Sequence, residues 1–129
     1  MVIDSSALLS ILLGEPDARA FVEALASPDR KLMSAVNKLE TAAVVEARKG
    51  EAGARLFSKL LVTAEIEIIA FDSGQAEIAL DAWRRYGKGR HPAALNIGDC
   101  AAYALARTLN DPLLYKGEDF SKTDVASAI

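Results

Sequence analysis

Cysteine and histidine each occur once in the 129 residues, as Cys100 and His91. One cysteine excludes an intramolecular disulfide. A single Cys and a single His cannot supply the several sulfur or nitrogen ligands of a zinc-type site. Aromatic residues make up only 6% of the chain, with one Trp, so the core must be built from Ala, Leu, Val and Ile. No apolar run approaches the roughly 18 residues of a membrane span. Asp4 stands where a secretory leader carries basic residues. A cytoplasmic address with no membrane association is therefore expected. Eighteen acids against 15 bases give a net charge of −3, so no global basic field points to nucleic acid.

What the chain does have is apolar material: 51% of residues and a mean hydropathy of +0.15. That is enough for one sizeable core, and the length suits one domain spanning residues 1–129. Short β-branched runs alternate with helical stretches. Strands are predicted at 1–4, 31–33, 66–71 and 113–115, with an edge strand at 125–129. Helices are predicted at 7–13, 16–26, 35–49, 51–64, 73–86 and 97–109, with Gly50 separating the fourth from the third and Asn96 capping the last. The alternation indicates an α/β domain with a mostly parallel sheet. In such sheets ligands bind beyond the carboxyl ends of the strands, so acids just after strands or on inward helix faces are the residues to weigh.

Asp4 closes the first strand. Ser5 and Ser6 are available to cap the following helix, which makes an acid there surplus to capping. Glu40 falls, on a helical wheel, inside a stripe formed by Val36, Ala43, Val44 and Ala47. A carboxylate facing the core is costly unless paired or bound to a cation; the alternative partners are Arg48 and Arg19. Asp99 lies in the first turn of a nearly all-apolar helix, where it can bind a cation or form a capping box with Asn96. Gly98 beside it suits a close approach to the backbone. After the strand 113–115, Glu118 or Asp119 can reach the same crevice, with Phe120 anchoring the loop.

Several acids on one crevice repel one another by about 3 kcal/mol per pair at about 5 Å and an effective dielectric of about 20. Such a cluster persists if a cation fills it. With only oxygen donors to hand, the cation is a hard one, Mg²⁺ or Mn²⁺, which keeps several waters and acts on phosphates.

Five stretches carry a resemblance: Val2-Ile3-Asp4-Ser5-Ser6-Ala7-Leu8-Leu9, Leu39-Glu40-Thr41-Ala42, Gly87-Lys88-Gly89-Arg90-His91-Pro92-Ala93, Leu95-Asn96-Ile97-Gly98-Asp99-Cys100 and Leu113-Leu114-Tyr115-Lys116-Gly117-Glu118-Asp119-Phe120. In this order, along the whole chain, they resemble PIN-domain ribonucleases of the VapC toxin type. The resemblance implies a four- to five-stranded parallel sheet sandwiched by helices, and a Mg²⁺- or Mn²⁺-dependent endoribonuclease. It implies an acidic quartet of Asp4, Glu40, Asp99 and Asp119, in which Asp4 and Asp99 bind metal directly and Glu40 acts through a water held by the cation. Ser6 would steady Asp4. A cognate antitoxin covering the site and a homodimer are implied too; the amphipathic stretches 20–25 and 56–62 can hold partner helices. Many members carry Thr-x-Asp or Thr-x-Asn after the fourth strand. Here Tyr115-Lys116-Gly117 stands there, so Glu118 can replace Asp119 in the fourth position.

Basic residues are clustered despite the negative balance. Arg48, Arg85, Lys88, Arg90 and Lys116 are candidate contacts to RNA phosphates. His91, beside Pro92 in a loop, is a poor catalytic base, and Cys100 reads as core. Two rival readings are a phosphoacceptor receiver domain, with Asp72 after a strand and Lys116 after a later one, and a non-catalytic scaffold with structural acids. An aspartate-nucleophile phosphatase would need a second Asp where Ser6 stands.

Overall fold

The computed structural model describes residues 1–129. Four short strands form one parallel sheet: β1 (Val2–Ile3), β2 (Lys31–Ser34), β3 (Ile66–Ile69) and β4 (Leu113–Leu114), in the order β3-β2-β1-β4. The helices are α1 (Ser5–Leu12), α2 (Ala18–Leu25), α3 (Ala35–Thr63), α4 (Ser73–Tyr86) and α5 (Ile97–Leu109). A short 3₁₀ turn follows at Phe120–Lys122. No helix is long and apolar enough to cross a membrane.

The sheet separates two cores because successive strand side chains point to opposite faces. Val2, Leu32 and Leu113 pack with α4 and α5 residues such as Ala82, Cys100 and Leu105. Their neighbours Ile3, Met33 and Leu114 pack with Leu8 of α1, Phe21 of α2, and Val45 and Phe57 of α3. β1 and β4 are thus covered on both sides, which is why each reads as a continuous apolar run, whereas the edge strand β3 keeps Glu67 exposed.

Strand order sets the functional edge. The chain steps outward from β1 to β2 to β3, then crosses back to lay β4 on the other side of β1. The order reverses between β1 and β4, and the crevice beyond their carboxyl ends is the place for a ligand. Asp4 leaves β1 at that point, its main-chain N–H bonded to Leu114 O at 2.9 Å.

Two expectations are corrected. The edge strand at 125–129 contracts to one parallel bridge, Ser127 to Leu113. The helices expected at 35–49 and 51–64 are present as the two limbs of α3, and Gly50 separates them as expected, its φ of +60° and ψ of −150° being non-helical and suited to glycine. The buried stripe of α3 is also different. Asn37, Thr41 and Val45 are fully buried, whereas Ala43 and Ala47 are exposed. The wheel favoured apolar side chains, but Asn37 and Thr41 enter the core, where the amide nitrogen of one and the hydroxyl of the other find acceptors. Nδ2 of Asn37 donates to Gly98 O at 3.0 Å, and the Thr41 hydroxyl donates to Asn37 O at 2.8 Å.

Candidate functional site: an acidic crevice at the sheet edge

Asp4 is 3% exposed and is itself the N-cap of α1, in place of Ser5 or Ser6. Its Oδ2 accepts from the Ser6 N–H at 3.0 Å and from the Ser6 hydroxyl at 2.5 Å. Its Oδ1 is buried with no hydrogen-bond partner. Burial pushes the carboxyl up to about 7; the two Ser6 hydrogen bonds oppose this, and the charges of Asp99 and Glu40 add to it.

Asp99 completes a capping box at the start of α5. Asn96 Oδ1 accepts from the Asp99 N–H at 2.8 Å, and Asp99 Oδ2 accepts from the Asn96 N–H at 3.0 Å. The box leaves Oδ1 outside it. Burial raises this carboxyl to about 6; the Asn96 bond lowers it, and the charges of Glu40 and Asp119 raise it. The capping role weighed from the sequence is therefore real for both aspartates, and in each case it uses one oxygen.

Glu40 is half-buried on α3, beside the Asn37–Thr41–Val45 stripe. Its carboxylate rests on the backbone of Gly98: a Cβ added there would lie 2.3 Å from Glu40 Oε2. Neither proposed arginine partner is used. Arg19 pairs with Glu23 at 3.0 Å, and Arg48 is exposed. Asp119 is exposed ahead of the 3₁₀ turn, and its charge is felt by Asp99. Glu118 is exposed as well and is not among the groups acting on Asp99.

Asp4, Glu40 and Asp99 are thus near enough to act on one another electrostatically, with Asp119 joined through Asp99. No three acidic, histidine or cysteine side chains close into a ready-made metal cage. The donor set is all oxygen, includes an orphaned buried carboxylate oxygen, and is not closed. It suits a hard cation that keeps most of its waters.

The Ser6 hydroxyl also accepts from the Lys116 N–H at 2.9 Å, joining the end of β1 to the segment after β4. The Lys116 ammonium is held by Glu15 and by Asp17 at 3.2 Å, and the Ser10 hydroxyl donates to Asp17. This network was not foreseen from the sequence; the only signal for it was an acidic pair in the α1–α2 loop. Arg85 is also occupied, paired with Asp124 at 3.5 Å and Asp81 at 3.8 Å. Arg90 lies over the Trp83 ring at 4.2 Å. Arg48 and Lys88 are exposed. Nδ1 of His91 accepts from the Ala93 N–H at 3.0 Å, holding the ring within its own loop.

The receiver reading fails on topology. Asp72 is the N-cap of α4, accepting from the Gln75 N–H at 2.9 Å. It follows β3, while Lys116 follows β4 at the opposite edge of the sheet. Three strand spacings, about 14 Å, separate a phosphoacceptor from the lysine that would serve it.

Fold and crevice define an α/β domain with carboxylates gathered where the strand order reverses. The PIN domain family model matches residues 1–126, and the chain belongs to the PIN-domain family. Its relatives carry VapC names. It is 50% identical over 127 residues to Ribonuclease VapC30 of Mycobacterium tuberculosis, covering 98% of this chain and 97% of that protein. It is 51% identical to Ribonuclease VapC of Mycolicibacterium smegmatis, covering 98% of each. Among solved structures, VapC20 of M. tuberculosis, described as a Sarcin-Ricin loop cleaving toxin, superposes with a TM-score of 0.79 at 16% identity, over 97% of this chain and 95% of that one. A toxin–antitoxin complex from Klebsiella pneumoniae gives 0.71 at 18% identity, over 99% and 97%. These two likenesses establish the shared fold.

Proposed function

We propose that this chain is a Mg²⁺- or Mn²⁺-dependent endoribonuclease and the toxin of a toxin–antitoxin pair. Its catalytic residues in this reading are Asp4, Glu40, Asp99 and Asp119. The observation that carries the reading is Asp4: a carboxylate at the strand-order reversal with one oxygen orphaned, its pKa raised by burial and, to a smaller extent, by two further acids. The ribonuclease names of relatives about 50% identical over nearly the whole chain support the same activity.

Asp4 and Asp99 would hold the cation through the oxygens their helix caps leave free. A bound cation supplies charge to the phosphoryl oxygens and lowers the pKa of a water able to attack phosphorus. Glu40, packed against Gly98, would be placed to accept a proton from such a water. Ser6 holds Asp4 in place, and Asp119 adds negative charge beside Asp99. The exposed Arg48 and Lys88 are free to meet RNA phosphates; Arg85, Arg90 and Lys116 would first leave their present partners.

Exposed apolar surface supports a protein partner. Val22 of α2 and Leu56 and Val62 of α3 are exposed, Val62 by 78%, where an antitoxin segment could dock. A groove of about 400 Å³ between α4 and α5, lined only by apolar side chains, is suited to a second copy of the chain.

The test is incubation of the purified protein with RNA in Mg²⁺ or Mn²⁺, and again in EDTA. Cleavage with the cation and its loss in EDTA are expected. Cleavage that persists in EDTA, or none with either cation, overturns the proposal.

A further inference from the structure

We infer that Asn37 is a positioning residue of the acidic crevice, the joint that sets the spacing of the segments bearing Asp4, Glu40 and Asp99. The inference rests on the cation-dependent reading above and deepens it. Asn37 is fully buried, and its hydrogen bonds run to the immediate neighbours of two acids. Its Nδ2 donates at 3.0 Å to the carbonyl of Gly98, the residue before Asp99. Its own carbonyl accepts at 3.2 Å from the hydroxyl of Ser5, the residue after Asp4. Glu40 lies three residues along the same helix, on the neighbouring part of its surface.

Asn37 and Glu40 therefore meet Gly98 together. The amide holds its carbonyl, and the carboxylate occupies the space a Cβ would need, 2.3 Å from Oε2. Position 98 accepts only a hydrogen while Glu40 stays where it is. The register of α5 against α3 is fixed by a side-chain bond spanning 61 residues of sequence, which places Asp99 beside Glu40.

One atom of Asn37 remains. Its Oδ1 is buried and has no hydrogen-bond partner in the protein. Such atoms are rare in folded proteins. Together with Asp4 Oδ1 it makes two orphaned buried oxygens among residues that converge on the crevice.

The test is the affinity of the full-length protein for Mn²⁺ alone, read from the electron paramagnetic resonance of free Mn²⁺, with RNA turnover measured alongside. The variants are Asn37→Leu, Gly98→Ala and, as a control, Thr41→Val. Thr41 is equally buried but bonds only to the carbonyl of Asn37. Loss of groups that orient ligands lowers metal affinity about 10- to 100-fold. Asn37→Leu should show that loss, with a fall in kcat and an unchanged KM for RNA. Gly98→Ala should also lose Mn²⁺ affinity while remaining folded, because only the end of the Glu40 side chain must move. Thr41→Val should melt at a lower temperature and bind Mn²⁺ like wild type. If Asn37→Leu does not fold, Asn37→Ala, which also lacks the amide that holds the Gly98 carbonyl, decides. Wild-type affinity in the folded variants, or an equal loss in Thr41→Val, overturns the role of Asn37. A wild-type protein that binds no Mn²⁺ overturns the cation-dependent reading itself, and the inference with it.

Discussion

The Ser6 hydroxyl donates to Asp4 Oδ2 at 2.5 Å while accepting from the Lys116 N–H at 2.9 Å. One small side chain thus holds the buried acid and joins the segments after β1 and β4. Ser6→Ala removes both bonds and keeps the Ser6 N–H cap. We expect a loss of about 1–3 kcal/mol, because the Lys116 N–H is left without its acceptor. Since the lost bond lowers the pKa of Asp4, the acid limb of the pH–rate profile should move to higher pH. Denaturant melts and a pH series of cleavage rates check both; an unmoved acid limb would remove Ser6 from the control of Asp4.

Asp4→Asn and Asp99→Asn should each abolish cation-dependent RNA cleavage with the fold intact. The substitution keeps the shape and a side-chain oxygen able to cap, and it removes a charge that is disfavoured by burial in both cases. In the absence of metal each variant should melt at or above the wild-type temperature at pH 7.5. Near-wild-type turnover in either would exclude that residue as a ligand.

Stability should depend on pH in a direction set by these two carboxyls. Asp4 is raised from 3.8 to about 7 and Asp99 to about 6. Between about pH 4 and 7 the folded state binds more protons than the unfolded chain, so the metal-free protein loses stability as pH rises through that window. For Asp4 the loss is at most a few kcal/mol, at about 1.4 kcal/mol per unit. Cations need the ionised carboxylates, so millimolar Mg²⁺ or Mn²⁺ should raise Tm at pH 7.5 and leave it unchanged at pH 4. Calorimetry at the two pH values, with Asp4→Asn as a flattened control, tests the sign.

Glu40→Gln distinguishes an acid needed for chemistry from one needed for the fold. Had Glu40 been paired with a buried arginine, its loss would cost about 3–5 kcal/mol. Instead it lies on Gly98, and glutamine occupies nearly the same space. We expect unchanged or higher stability without metal and a cleavage rate lower by about 10²–10⁴-fold, the usual contribution of a general base. A large drop in Tm would show that the charge is structural.

Asp119 and Glu118 can be ranked. Only Asp119 acts electrostatically on Asp99, so Asp119→Asn should lower both cleavage and the cation-induced rise in Tm. Glu118→Gln should change neither. The opposite ranking in parallel assays would assign the fourth position to Glu118.

Local patterns determined much of this molecule. The strand runs, the caps at Asn96 and Asp72, the break at Gly50 and the acids placed just after β1 and β4 are encoded within a few residues of where they act. Each depends on backbone dihedrals or neighbouring N–H groups, so each was legible in the sequence. The face α3 buries was not. A wheel that sorts residues by polarity turns Asn37 and Thr41 outward. Only the arrival of Gly98 from 61 residues away gives the amide of Asn37 its acceptor and makes a polar stripe the buried one. The pairing of Lys116 with Glu15 and Asp17, and the separation of Asp72 from Lys116 across the sheet, were likewise decided by strand order. Sequence determined which residues could do chemistry at the edge of the sheet. Tertiary structure decided which of them meet, because burial and hydrogen bonding between distant segments set both their positions and their charge.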